Sequence, residues 1–195
     1  MWCATHWCRR SFPPTRSKLT TRTAMPPAHL RVPTAEGMAR LPRAARRARL
    51  SLSVQYATQD EDLPARPLLR RWLAAALERD AVVTLRFVDA DEGRALNHRY
   101  RGKGVATNVL AFVYDGSCGG DIVLCAPVLR REARQQNKTL AAHCAHLVVH
   151  GMLHLQGYDH HRSVDATRME AREVDILGNL GFTNPYSTPS RAQRR

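Results

Sequence analysis

Residues 139–160 read TLAAHCAHLVVHGMLHLQGYDH, an apolar run with histidines inside it. Thr139 is a favourable helix N-cap, and the residues after it favour a helix that ends near Gln156. Gly157 can adopt the left-handed backbone conformation that commonly follows the last turn of a helix. The stretch therefore predicts a long apolar helix followed by a reversal of the chain.

Three histidines in this stretch have the spacing of metal ligands. His150 and His154 are four residues apart, which places their side chains on one helix face with Cβ atoms about 5–6 Å apart. His160 follows the predicted reversal at Gly157 and can return to that face. Interior histidines held by hydrogen bonds are the alternative, and for a single histidine that interpretation would be favoured. Three at this spacing favour a metal, and three imidazoles with an open fourth position are typical of catalytic zinc.

Neighbouring residues are candidates for supporting roles. Asp159 can accept a hydrogen bond from a ligating imidazole, and His146, one turn before His150, can line the cleft or support the ligands. His143 and His161 have no clear assignment, and His161 is expected to face solvent. The helix of a zinc peptidase carries a glutamate next to its first histidine, but position 151 here is glycine, which argues against that class.

Outside this stretch the chain alternates between strand-like and helix-like segments. Period-two alternation and β-branched runs predict strands, and strong helix formers or a proline in the first turn predict helices. This mixture predicts one α+β domain with a small mixed β-sheet packed with helices, one of them carrying the HxxxH pair. The predicted strands are 50–56, 82–88, 107–113 and 121–124; the predicted helices are 68–77, a short one capped by Asp89 or Asp91, 127–137, 139–156 and 164–180.

The charge of the chain lies at its two ends. The 195 residues carry a formal net charge of +13, with 30 Lys and Arg against 17 Asp and Glu. Residues 1–49 hold eleven basic residues and one acid, the last nine residues hold three arginines and no acid, and the segment between is balanced. The ends therefore favour an anionic partner, RNA among the candidates, although a solvated charged segment is the simpler interpretation.

Three regions are expected along the chain. Residues 1–48 are interrupted by prolines and are predicted to be a disordered basic extension. The extension either results from a start codon assigned too far upstream or is a targeting segment. Residues 49–186 form the predicted domain, and 187–195 form a basic C-terminal tail. No apolar run reaches the ~18 residues that cross a bilayer, so a membrane partner is not expected. Cys118, Cys125 and Cys144 are expected as reduced thiols of a cytoplasmic protein, with organellar targeting as the minor alternative.

Four sequence blocks between Leu50 and Tyr186 resemble the YbeY endoribonucleases. Residues 150–160, HGMLHLQGYDH, are similar to the family's HGxLHLxGYDH signature, and YRGK at 100–103 with TNVLAF at 107–112 is similar to its YRGKxxxTNVLSF segment. GDI at 120–122 matches a strand of the family. The end of the segment, with Met169, Glu173, Ile176-Leu177 and LGF at 180–182, resembles the family's last helix and LGY end.

The resemblance implies a metal-dependent, single-strand-specific endoribonuclease that matures the 3′ end of 16S rRNA and acts in ribosome quality control. It implies that His150, His154 and His160 bind one zinc ion per chain and that Arg101 is the functional arginine near the metal. Arg101 would hold the scissile phosphate, Lys103 is a weaker candidate on the same loop, and Asn108 either orients the loop or contacts substrate. Ribosomal RNA and the small ribosomal subunit are the expected partners, and no nucleotide cofactor is expected.

Two other functions remain compatible with the sequence. One is a non-catalytic ribosome-assembly factor in which zinc stabilises the fold and basic segments bind rRNA. A fourth protein ligand, such as Cys144, would favour that function because it would close the metal site. The other is a metal-dependent hydrolase acting on a peptide or a small molecule.

Overall fold

The computed structural model describes residues 48–114 and 118–187. The predicted extension 1–48 and tail 187–195 lie outside these residues, apart from Ala48 and Ser187. The described part contains four strands and five helices, which confirms the predicted α+β class. In chain order they are β1 (Leu50–Ala57), α1 (Arg66–Ala75), β2 (Ala81–Val88), α2 (Ala90–Arg101), β3 (Val109–Val113), β4 (Gly120–Cys125), α3 (Ala126–Gln135), α4 (Leu140–Leu155) and α5 (Ser163–Asn179).

The strands form one mixed sheet in the order β1-β2-β4-β3. β1 and β2 are parallel, β2 and β4 are parallel, and β3 runs antiparallel to β4. Because two parallel strands need a crossover between them, α1 connects β1 to β2, and α2 with β3 lies between β2 and β4. The mixed sheet expected from the sequence is therefore confirmed.

Successive residues of β4 bury themselves on opposite faces of the sheet. Ile122 and Leu124 join the larger hydrophobic cluster with residues of α1, α4 and α5, whereas Val123 and Cys125 join a smaller cluster with Leu96 of α2. This is the period-two alternation of a strand that is covered on both sides. Helices α1, α4 and α5 therefore cover one face, and α2 together with Val128 of α3 covers the other.

Helix α4 lies at the centre of the sheet face that α1, α4 and α5 cover, where it contacts α1, α3, α5, β3 and β4. Thr139 caps it as expected, with its side chain accepting a 3.1 Å hydrogen bond from the amide of Ala142. The helix approaches the sheet closely at Gly151, since a Cβ there would lie 2.9 Å from Cγ2 of the buried Ile122. This close approach gives glycine a packing role at position 151.

Among residues 48–114 and 118–187, no helix combines the length and hydrophobicity required to span a bilayer.

Gly151→Ala and Gly178→Ala are a matched pair that tests the close approach of α4 to β4. Both glycines are helical, but a Cβ at Gly178 would meet nothing within 4 Å. Alanine at 178 is expected to raise the free energy of unfolding by up to about 1 kcal/mol through helix propensity. Alanine at 151 gains the same propensity but overpacks Ile122, at a cost of about 1–3 kcal/mol. Urea unfolding measures both, and equal stabilisation of the two variants would contradict the packing described for Gly151.

Candidate metal centre

His150, His154 and His160 lie together, with one ring nitrogen from each within 4.8 Å of the others. The Nε2 atoms of His150 and His154 are 3.1 Å apart, and the ring of His160 is centred 5.0 Å from that of His154. His154 is buried, and the other two rings are half-buried. Among the described residues, the group contains these three side chains and could bind one metal ion.

The spacing of the ring nitrogens suits a zinc ion. Two nitrogens bound to tetrahedral zinc at about 2.05 Å are separated by about 3.3 Å, close to the observed 3.1 Å. Neutral imidazole is a ligand that zinc prefers, and three such ligands leave a tetrahedral position for water or substrate. The donor set therefore fits zinc.

Helix α4 ends in a Schellman motif that turns the chain back towards the cluster. Gly157 has a φ of +95°, its amide donates to the His154 carbonyl, and the amide of Tyr158 donates to the Leu153 carbonyl, both at 3.0 Å. A residue with a side chain would be strained at this φ. The glycine reversal expected from the sequence thus positions the loop that carries His160.

Asp159 stabilises this loop. Its Oδ1 accepts a 2.7 Å hydrogen bond from the backbone amide of His160, and its Oδ2 lies 3.5 Å from Nε2 of the exposed His161. Asp159 therefore contacts His160 through the backbone amide of that residue. Support of a ring nitrogen by Asp159 stays a prediction.

The carboxylate of Glu173 on α5 lies directly behind the cluster and is fully buried. Its Oε1 is 2.7 Å from Nδ1 of His150. An ionised carboxylate can only accept a hydrogen bond, so Nδ1 carries a proton and Nε2 is the ring nitrogen left for a metal. His154 follows the same rule, because its Nδ1 donates to the Tyr158 carbonyl at 3.0 Å.

The electrostatic environment keeps these groups in the protonation states that metal binding requires. Burial acts to raise the pKa of Glu173, but hydrogen bonds from His146 and His150 and the attraction to both rings outweigh it and hold that pKa well below its usual range. Burial, followed by the nearby His150 and His160, lowers the pKa of His154 to about 3. Glu173 is therefore ionised and His154 is neutral at physiological pH.

Glu173 is the residue for which sequence reasoning assigned no role. The sequence does indicate that Glu173 is buried, since it follows Met169 by four residues and precedes Ile176 by three, a spacing that places all three on one face of α5. Burying a carboxylate on an apolar helix face costs free energy unless it has hydrogen-bond or charged partners, so the position of Glu173 predicts that it has such a partner. The identity of that partner depends on how α5 packs against α4, which the local sequence does not specify.

His146 lies one turn before His150 and is buried, outside the group of three. Its Nε2 is 3.2 Å from Oε2 of Glu173, the carboxylate whose other oxygen contacts His150. Burial lowers the pKa of His146. Of the two roles considered for His146, support of the ligands is the one that this contact favours.

Asn108 takes part in a separate network at the start of β3. Its Nδ2 donates to Oε2 of Glu132 at 2.9 Å, and the same oxygen is 3.0 Å from Nε2 of the buried His143 on α4. The network ties the loop before β3 to the first turn of α4. This geometry fits the loop-orienting alternative for Asn108, and substrate contact stays a prediction.

Arg101 and Lys103 lie at the end of α2. Arg101 is the last residue of the helix and half-buried, Gly102 caps the helix with a φ of +67°, and Lys103 is exposed. Helix α2 packs against β4 and α3. Their proposed contacts with phosphate stay predictions.

Cys144 lies in the hydrophobic core and is outside the histidine group. Burial raises the pKa of its thiol, so it remains protonated and is a poor metal ligand in this state. The three described cysteines are free thiols, as expected.

Comparison with known proteins identifies close relatives. The family model described as Endoribonuclease YbeY matches residues 54–181. A protein of that name from Herminiimonas arsenicoxydans is 56% identical over 149 residues, which cover 71% of this chain and 96% of that protein. A second, from Thiobacillus denitrificans, is 55% identical over 141 residues, covering 70% of this chain and 96% of that protein.

Among solved structures, the solution structure of TM1509 from Thermotoga maritima is similar to this chain, with a TM-score of 0.47 and 23% sequence identity. The match covers 70% of this chain and 99% of that one.

Glu173→Gln is expected to weaken zinc binding about 10–100-fold, because it removes the charge that supports His150. Glu132→Gln is the matched control, since Glu132 also accepts from a buried α4 histidine but lies outside the cluster. Competition with a chromophoric chelator measures both affinities, and urea unfolding of the metal-free proteins checks that they remain folded. Equal affinities in the two variants would contradict the role given to Glu173.

Proposed function

The chain belongs to the endoribonuclease YbeY family, and from that premise we propose that it is a zinc-dependent, single-strand-specific endoribonuclease. We propose further that it matures the 3′ end of 16S rRNA and acts in ribosome quality control, with the small ribosomal subunit as its partner in the cytoplasm. The relatives carry the name endoribonuclease, which supports cleavage of RNA phosphodiester bonds.

The observation that carries the proposal is the convergence of three imidazole nitrogens within 4.8 Å. His150, His154 and His160 would hold one zinc ion per chain. When bound, zinc supplies Lewis acidity and makes hydroxide available near neutral pH. Among residues 48–114 and 118–187 the site has three protein ligands, which supports hydrolysis over a purely structural role, because structural zinc sites are closed by four.

The protein's own groups prepare this chemistry in three ways. Glu173 fixes the proton of His150 on Nδ1, the Tyr158 carbonyl does the same for His154, and burial keeps His154 neutral. His150 and His154 are therefore oriented before an ion binds, which reduces the reorganisation that binding requires.

Arg101 would act on the phosphate. A planar guanidinium can hold two phosphoryl oxygens at once and offset the negative charge that develops on them during cleavage. Lys103, in the loop that follows α2, would add a point charge two residues further on. In RNA binding as a whole, the three arginines after residue 187 and the basic residues before residue 50 would contribute salt-dependent attraction to the phosphate backbone.

His154→Ala tests the metal-dependent reaction, and His161→Ala is its matched control because His161 is an exposed histidine next to His160. His154→Ala is expected to lose zinc and to cleave a single-stranded 16S 3′-end precursor at least about 100-fold more slowly. His161→Ala is expected to keep its zinc and its cleavage rate. The wild-type protein is expected to leave a fully paired RNA uncleaved.

Zinc content by mass spectrometry and gel-resolved cleavage rates give the two readouts. Zinc retained by His154→Ala would overturn the ligand assignment. Zinc lost with cleavage unchanged would instead favour a non-catalytic assembly factor and point to a contaminating nuclease.

Arg101→Ala tests the phosphate contact, with Arg99→Ala as its control on the last turn of the same helix. Loss of a group that stabilises developing charge lowers kcat by about 100–1,000-fold, and zinc content should be unchanged. Arg99 is exposed and is expected to affect only the salt dependence of binding. Single-turnover cleavage separates the two effects, and an Arg101→Ala rate equal to that of Arg99→Ala would remove the role proposed for Arg101.

A further inference from the structure

The segment after α5 folds back against the helix face that carries the histidines. The carbonyl of the buried Pro185 accepts a 2.7 Å hydrogen bond from Nζ of Lys138, and the amide of Tyr186 donates to Oδ1 of Asn184 at 2.9 Å. A second turn bond joins the hydroxyl of Ser187 to the Asn184 carbonyl at 2.8 Å. These contacts fix the backbone on both sides of Tyr186.

The side chain of Tyr186 reaches Glu173. Its hydroxyl donates to Oε2 of Glu173, and its ring meets that of His146 edge-on, with centroids 5.5 Å apart. His146 contacts the same Oε2 at 3.2 Å, whereas His150 contacts Oε1. The two oxygens of the carboxylate therefore have different partners: Oε2 faces Tyr186 and His146, and Oε1 faces His150.

This division has a chemical consequence for His150. A carboxylate can rotate about its last bond, and hydrogen bonds onto Oε2 hold its plane so that Oε1 points at Nδ1 of His150. Burial and the charge of Glu173 raise the pKa of Tyr186, so the hydroxyl keeps its proton and remains a donor. Without that donor, the buried carboxylate loses a charge-assisted hydrogen bond that balances its loss of hydration.

We infer that Tyr186 is a positioning residue of the candidate metal centre, acting on the ion through Glu173 and His150. The inference rests on the zinc site of the proposed function, and it extends that site to a segment 26 residues beyond the last histidine ligand. Tyr186 does not touch the ion in this account. It sets how strongly Glu173 supports the imidazole of His150, which would contact the ion.

Tyr186→Phe in the full-length chain tests the inference, because phenylalanine keeps the ring and removes only the hydroxyl. Tyr114→Phe is the matched control, since the Tyr114 hydroxyl also donates to a carboxylate, that of Asp121 at 2.7 Å, away from the histidines. Zinc affinity by chelator competition and the visible absorption of the Co²⁺-substituted proteins are measured, together with urea unfolding of the metal-free proteins.

We expect Tyr186→Phe to bind zinc about threefold to tenfold more weakly, less than the loss for a residue that contacts a ligand directly. Its Co²⁺ bands should shift, and Tyr114→Phe should match the wild type in both metal readouts. A Tyr186→Phe protein that is less stable but binds zinc like the wild type would overturn the inference, because its hydroxyl would then be structural only. A wild-type chain that binds no zinc would overturn the proposed function itself, and so the two failures are distinguishable.

Discussion

The organisation of the candidate site depends on one buried negative charge, the carboxylate of Glu173. An ion removed from water without partners costs several kcal/mol, so the fold must surround it with donors. His146 and His150 of α4 and Tyr186 of the C-terminal segment are those donors. The need to satisfy Glu173 thus joins α5, α4 and the end of the described chain at one point, and it determines which nitrogen of His150 is left for a metal.

Two glycines make this arrangement possible from the side of the backbone. Gly151 lets α4 lie close to Ile122 on the sheet, and Gly157, with its left-handed φ, reverses the chain after the last turn. The first fixes the height of the histidine helix above the sheet, and the second returns His160 towards it. The convergence of the three imidazoles is therefore a result of helix geometry, one close contact and one turn.

The parts of this site that depend on short-range geometry were predictable from the sequence, and the parts that depend on packing between distant elements were not. The spacing of His150 and His154, the cap at Thr139 and the stop at Gly157 are local, and the structure has all of them. The apolar patterns likewise placed every strand and helix within a few residues, although α2 is twelve residues long where a short helix was expected. The pairing of Glu173 with His150 joins residues 23 positions apart in different helices, and the spacing of residues within either helix does not determine how the two helices pack.

The proton position on His150 is the most direct test of this account. Long-range ¹H–¹⁵N correlation spectra of the ¹⁵N-histidine-labelled, metal-free protein at neutral pH distinguish the two neutral tautomers. The account predicts a proton on Nδ1 of His150 and of His154, with Nε2 of His154 unprotonated. A His150 ring protonated at Nε2 but not at Nδ1 would contradict it, since Glu173 would then not orient that ring for a metal.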